Sequence, residues 1–344
     1  MIVIVGGGLA AAKVVEGYRE AGGDDEIVIW SQDPHGPYNR PGLSKRVLRG
    51  EAEPESVLID VQGADLRKGE RLDELPEADV VVIATGARPR ELGDALQLRT
   101  LDDSLALRRR AESTRDAVVV GGGFIGCEVT ASLTQLGVRV TQIVREPHLF
   151  ATLQCAPLSE ALAETFRANG VDLRLEATDI PAAELTVAGI GVVPNVELAR
   201  DAGLEVRSGI VVDDRFRTER DGVYAIGDVA EFYDPIYRRH RRIEHWSNSA
   251  YHGTTLGKIL AGDEDARYDT VSSFFSESFG KSFRYFGDPT GHDGGDLDGD
   301  FGGDHAVYRF RSGGQTIAAA AIGLADDEET ALKDEIRAGA ASVA

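Results

Sequence analysis

The sequence predicts an α/β protein: two parallel-sheet βαβ units followed by a smaller α+β region. Three observations carry this. The first is an internal repeat. "IVIVGGGLAAAKVVEGYREAGGDDEIVIW" (Ile2 to Trp30) and "AVVVGGGFIGCEVTASLTQLGVRVTQIV" (Ala117 to Val144) both read as strand, glycine turn, amphipathic helix, strand. The second is a set of further short apolar runs rich in β-branched residues, as expected for strands buried on both faces. They lie in "ADVVVIATGARPR" (Ala78 to Arg90), "AELTVAGIGVVPN" (Ala183 to Asn195) and "DGVYAIGDVAEF" (Asp221 to Phe232). The third is a change of texture at about Tyr268, to "YDTVSSFFSESFGKSFRYFGD". A Gly/Asp-rich loop, a strand pair and a final acid-led helix, "DDEETALKDEIRAG", are expected after it.

Composition narrows the function. The chain has 344 residues, 42% hydrophobic, enough for two or three domains. Its formal net charge of -21 argues against nonspecific binding to nucleic acid or anionic membranes. No apolar run approaches the roughly 20 residues of a membrane span. A first strand starting at Ile2 leaves no signal peptide, so the reading is a soluble, cytoplasmic protein. Two cysteines, Cys127 and Cys155, form neither a disulfide framework nor a CxxC.

The glycines of the repeat carry the chemistry. Gly6, Gly8 and Ala11 fit GxGxxA; Gly121, Gly123 and Gly126 fit GxGxxG. The first glycine permits a tight turn, and the second lets backbone approach a pyrophosphate. The small third residue lets helix and strand pack closely, with the helix N-terminus facing the anion. One match is weak; two, each between strand and helix, predict two Rossmann-like dinucleotide sites. Asp33, just beyond "IVIWSQ", is expected to take ribose hydroxyls. In the second unit the acid position is read as Val144, followed by Arg145. This pattern leans toward NADPH, with NADH bound through Glu146 as the alternative.

These motifs resemble the FAD-dependent ferredoxin reductases of oxygenase and cytochrome P450 systems, relatives of putidaredoxin reductase and apoptosis-inducing factor, with the glutathione reductase fold. The resemblance rests on "VGGGLAAAK", "PYNRPGLSK", "ATGARPR", "VVVGGGFIGCE", "VAGIGVVPN", "GIVVDD", "VYAIGDVA" and "IEHWSNSAYHG", spanning Ile2 to about Gly262. It implies a discontinuous FAD-binding domain over 1–105 and 222–265. An NAD(P)H-binding domain over 106–221 and a C-terminal α+β domain over 266–344 complete the expected division. Gly6, Gly8, Asp33, Arg40, Ala84, Thr85, Gly86, Arg88, Gly227 and Asp228 are expected at FAD. Gly123, Glu128, Arg145 and Gly189 are expected at the nicotinamide dinucleotide. Trp246 is expected against the flavin, with Glu244 and His245 near the nicotinamide. Two departures stand out. The β-meanders after "ADLRKG" and after "VDLRLEA" are shortened, and the aromatic motif of the third domain reads "SFFSES", with Phe274, Phe275 and Glu277.

The resemblance implies hydride transfer from NAD(P)H to FAD and single-electron delivery to a ferredoxin-type iron–sulfur protein, by a monomer or weak dimer. Lys45, at the end of the proline-stiffened "PYNRPGLSK", is expected to be a cation beside the flavin, paired with Glu128. A lysine desolvated alone tends to lose its proton, and a carboxylate keeps it charged. The run "YRRHRR" supplies Arg238, Arg239, Arg241 and Arg242 as a docking patch for an acidic ferredoxin. "HDGGDLDGDFGGD" (His292 to Asp304) reads as a flexible acidic loop without the closing glutamate of an EF-hand, so no metal is expected. The alternatives are an NAD(P)H oxidase and a redox-sensing flavoprotein like apoptosis-inducing factor. A peroxidase is disfavoured because no cysteine precedes the second glycine motif.

Overall fold

In the computed structural model, which describes residues 1–343, the chain forms two units. The first comprises Met1–Asn39, Glu55–Arg88 and Val193–Thr270. The second comprises Arg40–Pro54, Pro89–Val192 and the chain from Val271 onward. The division falls inside "PYNRPGLSK", between Asn39 and Arg40.

The first unit is built on a five-stranded parallel sheet. Its order is Val223–Ala225, Val80–Ile83, Ile2–Val5, Ile27–Ser31, Asp65–Lys68. Apolar β-branched strands sit at the centre because both faces are covered; Ile4, Ile29 and Ile83 are fully buried. The Leu9–Glu20 helix covers one face and crosses the Trp246–Leu260 helix at close range. A Cβ added at Gly17 would lie 2.5 Å from the Thr254 carbonyl oxygen. At Gly253 it would lie 2.4 Å from Ala10 O, and at Gly257 2.5 Å from Val14 O. Bare glycine backbone is what admits the crossing. A smaller sheet joins Ile210–Val212, Ala230–Asp234 and Arg239–Arg241.

The second unit holds a four-stranded parallel sheet in the order Asp172–Arg174, Arg139–Ile143, Asp116–Val120, Leu185–Ala188. The two repeats match in register. Val5 pairs with Trp30 as Val120 pairs with Ile143. The Gly6 N–H donates to Trp30 O at 2.8 Å, and the Gly121 N–H to Ile143 O at 2.9 Å. Among the described residues no strand lies between Asp65–Lys68 and Val80–Ile83, or between Asp172–Arg174 and Leu185–Ala188. The meanders are cut to loops while both parallel sheets keep their order.

The C-terminal region contains the expected strand pair, Ala306–Ser312 with Gln315–Ile322, inside a larger sheet. It is a five-stranded antiparallel sheet in the order Ser273–Ser278, Lys281–Gly287, Gln315–Ile322, Ala306–Ser312, Gly294–Gly299, followed by the Asp326–Val343 helix. The segment expected to be a flexible acidic loop supplies an edge strand, Gly294–Gly299. Tertiary pairing overrides its poor strand propensity. Leu297 faces Tyr308, Arg311 grips Asp296 at 2.6 Å, and Gly295 lies under the Tyr308 ring. The exposed aspartates leave this edge charged, which discourages pairing with other chains.

Candidate functional site

Both glycine turns are shaped for a phosphate. Gly6 and Gly121 hold φ of +117° and +120°, and a Cβ on either would strike the next loop's backbone, Ala84 O or Gly189 O, at 2.2 Å. Ala84 and Gly189 are therefore equivalent positions in the repeat, each directly following the strand that pairs with the first strand of its unit. Gly8 and Gly123 cap the Leu9–Glu20 and Phe124–Gln135 helices. Neither helix has a side-chain cap, and nothing lies within 4 Å of a Cβ built on either glycine. The Leu101–Ala111 helix, in contrast, closes its N-terminus with a full capping box from Thr100 and Asp103. Open space beside uncapped amide donors is what a dinucleotide pyrophosphate needs. Ala11 is fully buried, and a Cβ at Gly126 would meet Gly121 O at 2.4 Å, so the third small residue packs as expected.

The first unit assembles most of the predicted flavin-side residues. Asp33 receives the His35 N–H at 2.9 Å and the Tyr38 hydroxyl at 2.6 Å. Thr85 donates to Asn195 O at 2.7 Å, and the Asn195 amide returns a bond to Thr85 O at 2.9 Å. Arg88 donates to the Asn195 side chain and pairs with Glu197, both at 2.8 Å. Gly86 and Gly227 adopt positive φ. The Gly227 N–H donates to His252 Nδ1 at 3.2 Å, and Ser249 donates to the Asp228 carboxylate at 3.0 Å. Burial pushes the His252 imidazole down to about 3 and that of His245 down to about 4, so both are neutral near pH 7. Trp246 opens its helix 41% exposed, with its indole N–H on Asn39 Oδ1 at 2.9 Å. Glu244 accepts from Arg242. Sequence reasoning missed Asn195; its only signal is the Pro-Asn that ends "GIGVVPN".

The second unit contains a buried ion pair. Lys45 Nζ lies 2.6 Å from Glu128 Oε2, the two side chains being 16% and 7% exposed. Ser44 donates to the same oxygen at 2.5 Å, and Ser276 donates to Oε1 at 2.8 Å. The short loop that carries the lysine is tied on both sides: Ser104 donates to Leu43 O at 2.7 Å and Ser132 to Ser44 O at 2.6 Å. Arg40 opens the 3-10 turn Arg40–Gly42 that leads into this loop. The four serines were not singled out from sequence, because a serine's hydroxyl partner depends on distant chain.

Register sets a second candidate beside Val144 for the acid position of the second unit. Residues one and three beyond the paired Trp30 are Ser31 and Asp33; beyond Ile143 they are Val144 and Glu146. Val144 matches Ser31, and each packs under a glycine, Gly122 and Gly7 respectively. The counterpart of Asp33 is Glu146, which pairs with exposed Arg145 at 2.9 Å. The basic run is exposed only in part. Arg241 is drawn inward to the fully buried Asp234 at 2.7 Å, and Arg242 is held by Glu244 and by Asp228 O. Arg238 stands exposed, with Arg239 half-buried. Cys127 and Cys155 are free and buried. Desolvation raises both thiols, that of Cys155 to about 12, so neither supplies a thiolate at neutral pH.

A family model described as pyridine nucleotide-disulphide oxidoreductase matches residues 1–253. The ferredoxin–NAD(+) reductase component of the p-cumate 2,3-dioxygenase system of Pseudomonas putida is 32% identical over 96% of this chain and 92% of its own length. Putidaredoxin reductase of the same organism is 30% identical over 85% of this chain and 81% of its own. A crystal structure of the covalent putidaredoxin reductase–putidaredoxin complex superposes with a TM-score of 0.91 at 27% identity, covering 98% of this chain and 93% of that one. Two pyrophosphate-ready glycine turns on parallel sheets define a flavin- and nicotinamide-dependent oxidoreductase. The chain belongs to the pyridine nucleotide-disulphide oxidoreductase family, whose cofactors are FAD and NAD(P)H, and both open, uncapped turns suit those groups. Among the described residues no helix is long and apolar enough to cross a membrane.

Proposed function

We propose that this protein takes hydride from NADH onto FAD and passes electrons singly to a ferredoxin-type iron–sulfur protein serving an oxygenase or cytochrome P450. The observation that carries the reading is the buried Lys45–Glu128 pair on a chain with two glycine turns and no usable thiolate. A family member without a thiolate delivers electrons directly from its flavin. Bound FAD supplies hydride acceptance and stepwise electron release.

The chain's own groups prepare that chemistry. FAD belongs to 1–105 with 222–265, the nicotinamide dinucleotide to 106–221, and 266–344 forms the third domain. The amides after Gly8 hold the FAD pyrophosphate and Asp33 takes its ribose; Arg40, Ala84, Thr85, Gly86, Arg88 and Asp228 complete the contacts. Gly121, Gly123, Gly126 and Gly189 admit the second dinucleotide. Lys45 is the cation that would favour the reduced, anionic flavin, and Glu128 holds it by a direct contact. Trp246 covers the ring, with Glu244 and neutral His245 toward the nicotinamide. Glu146, in register with Asp33, favours the ribose 2′-hydroxyl of NADH over a 2′-phosphate. Docking of the acidic partner uses exposed Arg238 with Arg239, by a monomer or weak dimer.

Steady-state assays with NADH and NADPH in parallel, each with a neutral dye and with a ferredoxin, test this. NADH is expected to be preferred, and added salt to slow the ferredoxin far more than the dye. Slow turnover with every acceptor and a long-lived reduced complex would favour a redox sensor and overturn the reading.

A further inference from the structure

Glu128 sits at the same helical position as Lys13 of the first repeat, five residues after the capping glycine. There a half-buried lysine pairs with Glu16 at the surface; here a carboxylate is buried and bonded by three donors. Two donors share Oε2. The third, Ser276, stands on the Ser273–Ser278 strand of the C-terminal sheet and is 1% exposed. Its neighbour two residues earlier, Phe274, meets Phe124 edge-on at 5.2 Å, in the first turn of the helix that carries Glu128. Alternation along the strand thus brings a ring and a hydroxyl from one face onto that helix.

The two oxygens of a carboxylate exchange by rotation about a broad terminal torsion. Ser44 and Lys45 resist it from one side only, both bonding to Oε2. A donor on Oε1 anchors the second oxygen, which defines the carboxylate plane, and it satisfies a buried oxygen that would otherwise lack a partner. We propose that Ser276 is a positioning residue that fixes the plane of Glu128 and thereby holds the Lys45 ammonium, making the C-terminal sheet part of the reductive half-reaction. The consequence for flavin rests on the reading of Lys45 given above; the bracing of Lys45 does not.

The holoenzyme and its Ser276→Ala and Ser276→Cys variants test this, with two readouts. Reductive methylation of Lys45 by formaldehyde and cyanoborohydride, followed by peptide mass spectrometry, reports how firmly the ammonium is held. Stopped-flow reduction by saturating NADH reports the chemistry. Ser276→Ala is expected to label Lys45 several-fold faster and to reduce flavin about tenfold more slowly, with NADH affinity within about twofold. Ser276→Cys, a weaker donor of similar size, is expected to fall between and carries the test if the alanine variant does not fold. Unchanged labelling in both variants overturns the proposal, whatever the flavin rate. Faster labelling with unchanged reduction supports the brace and overturns the flavin role of Lys45, a result that Lys45→Ala would then repeat.

Discussion

The two halves of the internal repeat share a turn and differ in everything attached to it. Both first glycines take nearly the same φ, press on the corresponding neighbouring backbone, Ala84 or Gly189, and precede an uncapped helix. The first helix is then closed by a second helix through glycine contacts at Gly17, Gly253 and Gly257. The second carries a buried carboxylate ringed by hydroxyls and a lysine. The turn is a local device, set by a few residues in sequence. The helix flank is a tertiary device, set by whichever later segment covers it. A repeat of this kind conserves how phosphate is held and leaves free what is done beside it.

The largest effect should separate the two turns. Gly6→Ala is strained at positive φ and drives a Cβ into Ala84 O, so the purified protein is expected to lose its bound FAD, read from the ratio of absorbance at flavin and protein wavelengths. Gly121→Ala should keep the flavin and weaken NADH by about 10²-fold. Flavin loss from both variants would break the assignment of one cofactor to each repeat. Next, Lys45→Ala is expected to slow flavin reduction by about 10²-fold, whereas Lys13→Ala at the first repeat's surface pair leaves it unchanged; equal rates in stopped flow would erase the contrast between the helices. Smaller again, Glu146→Ala should cut the preference for NADH over NADPH by about tenfold in kcat/KM. A preference that stays put would show that register with Asp33 does not carry over to ribose recognition.

The smallest effect concerns acid. Native His252 resists protonation until about pH 3, while the unfolded chain takes that proton near 6.5. Across this window the unfolded state binds more protons, so the residue's contribution makes stability rise with pH and fall on acidification. His252 belongs to the helix that closes the first repeat, and the second repeat has no counterpart. Urea midpoints at pH 5 and pH 7 are expected to lie closer together in His252→Asn than in the parent protein.

Much of this fold was legible because the governing interactions are local. Strand runs, glycine spacing and the helical stretch between them repeat within about thirty residues, and their register follows. The Lys45–Glu128 contact was anticipated only through resemblance, since nothing near either residue announces the other. What stayed hidden depended on distant chain. The edge strand Gly294–Gly299 is made by Tyr308 and Arg311, not by its own glycines and aspartates. Arg241 looked like one more surface cation until buried Asp234 drew it inward. Sequence left the ribose position of the second unit between Val144 with Arg145 and the alternative Glu146. Pairing across the sheet, which sequence does not display, is what puts Glu146 in register with Asp33.

The carboxylate of Glu128 also imposes a timetable. Its donors come from 84 residues before it and 148 residues after it. During synthesis, which adds roughly 5–20 residues per second, both glycine turns emerge before Ser276, and the last segment of the first unit ends at Thr270, just ahead of it. The first unit can therefore close before the bonded charge pair, which is finished only when the last sheet closes. A nascent or C-terminally truncated chain would hold its turns ready with the carboxylate still one donor short.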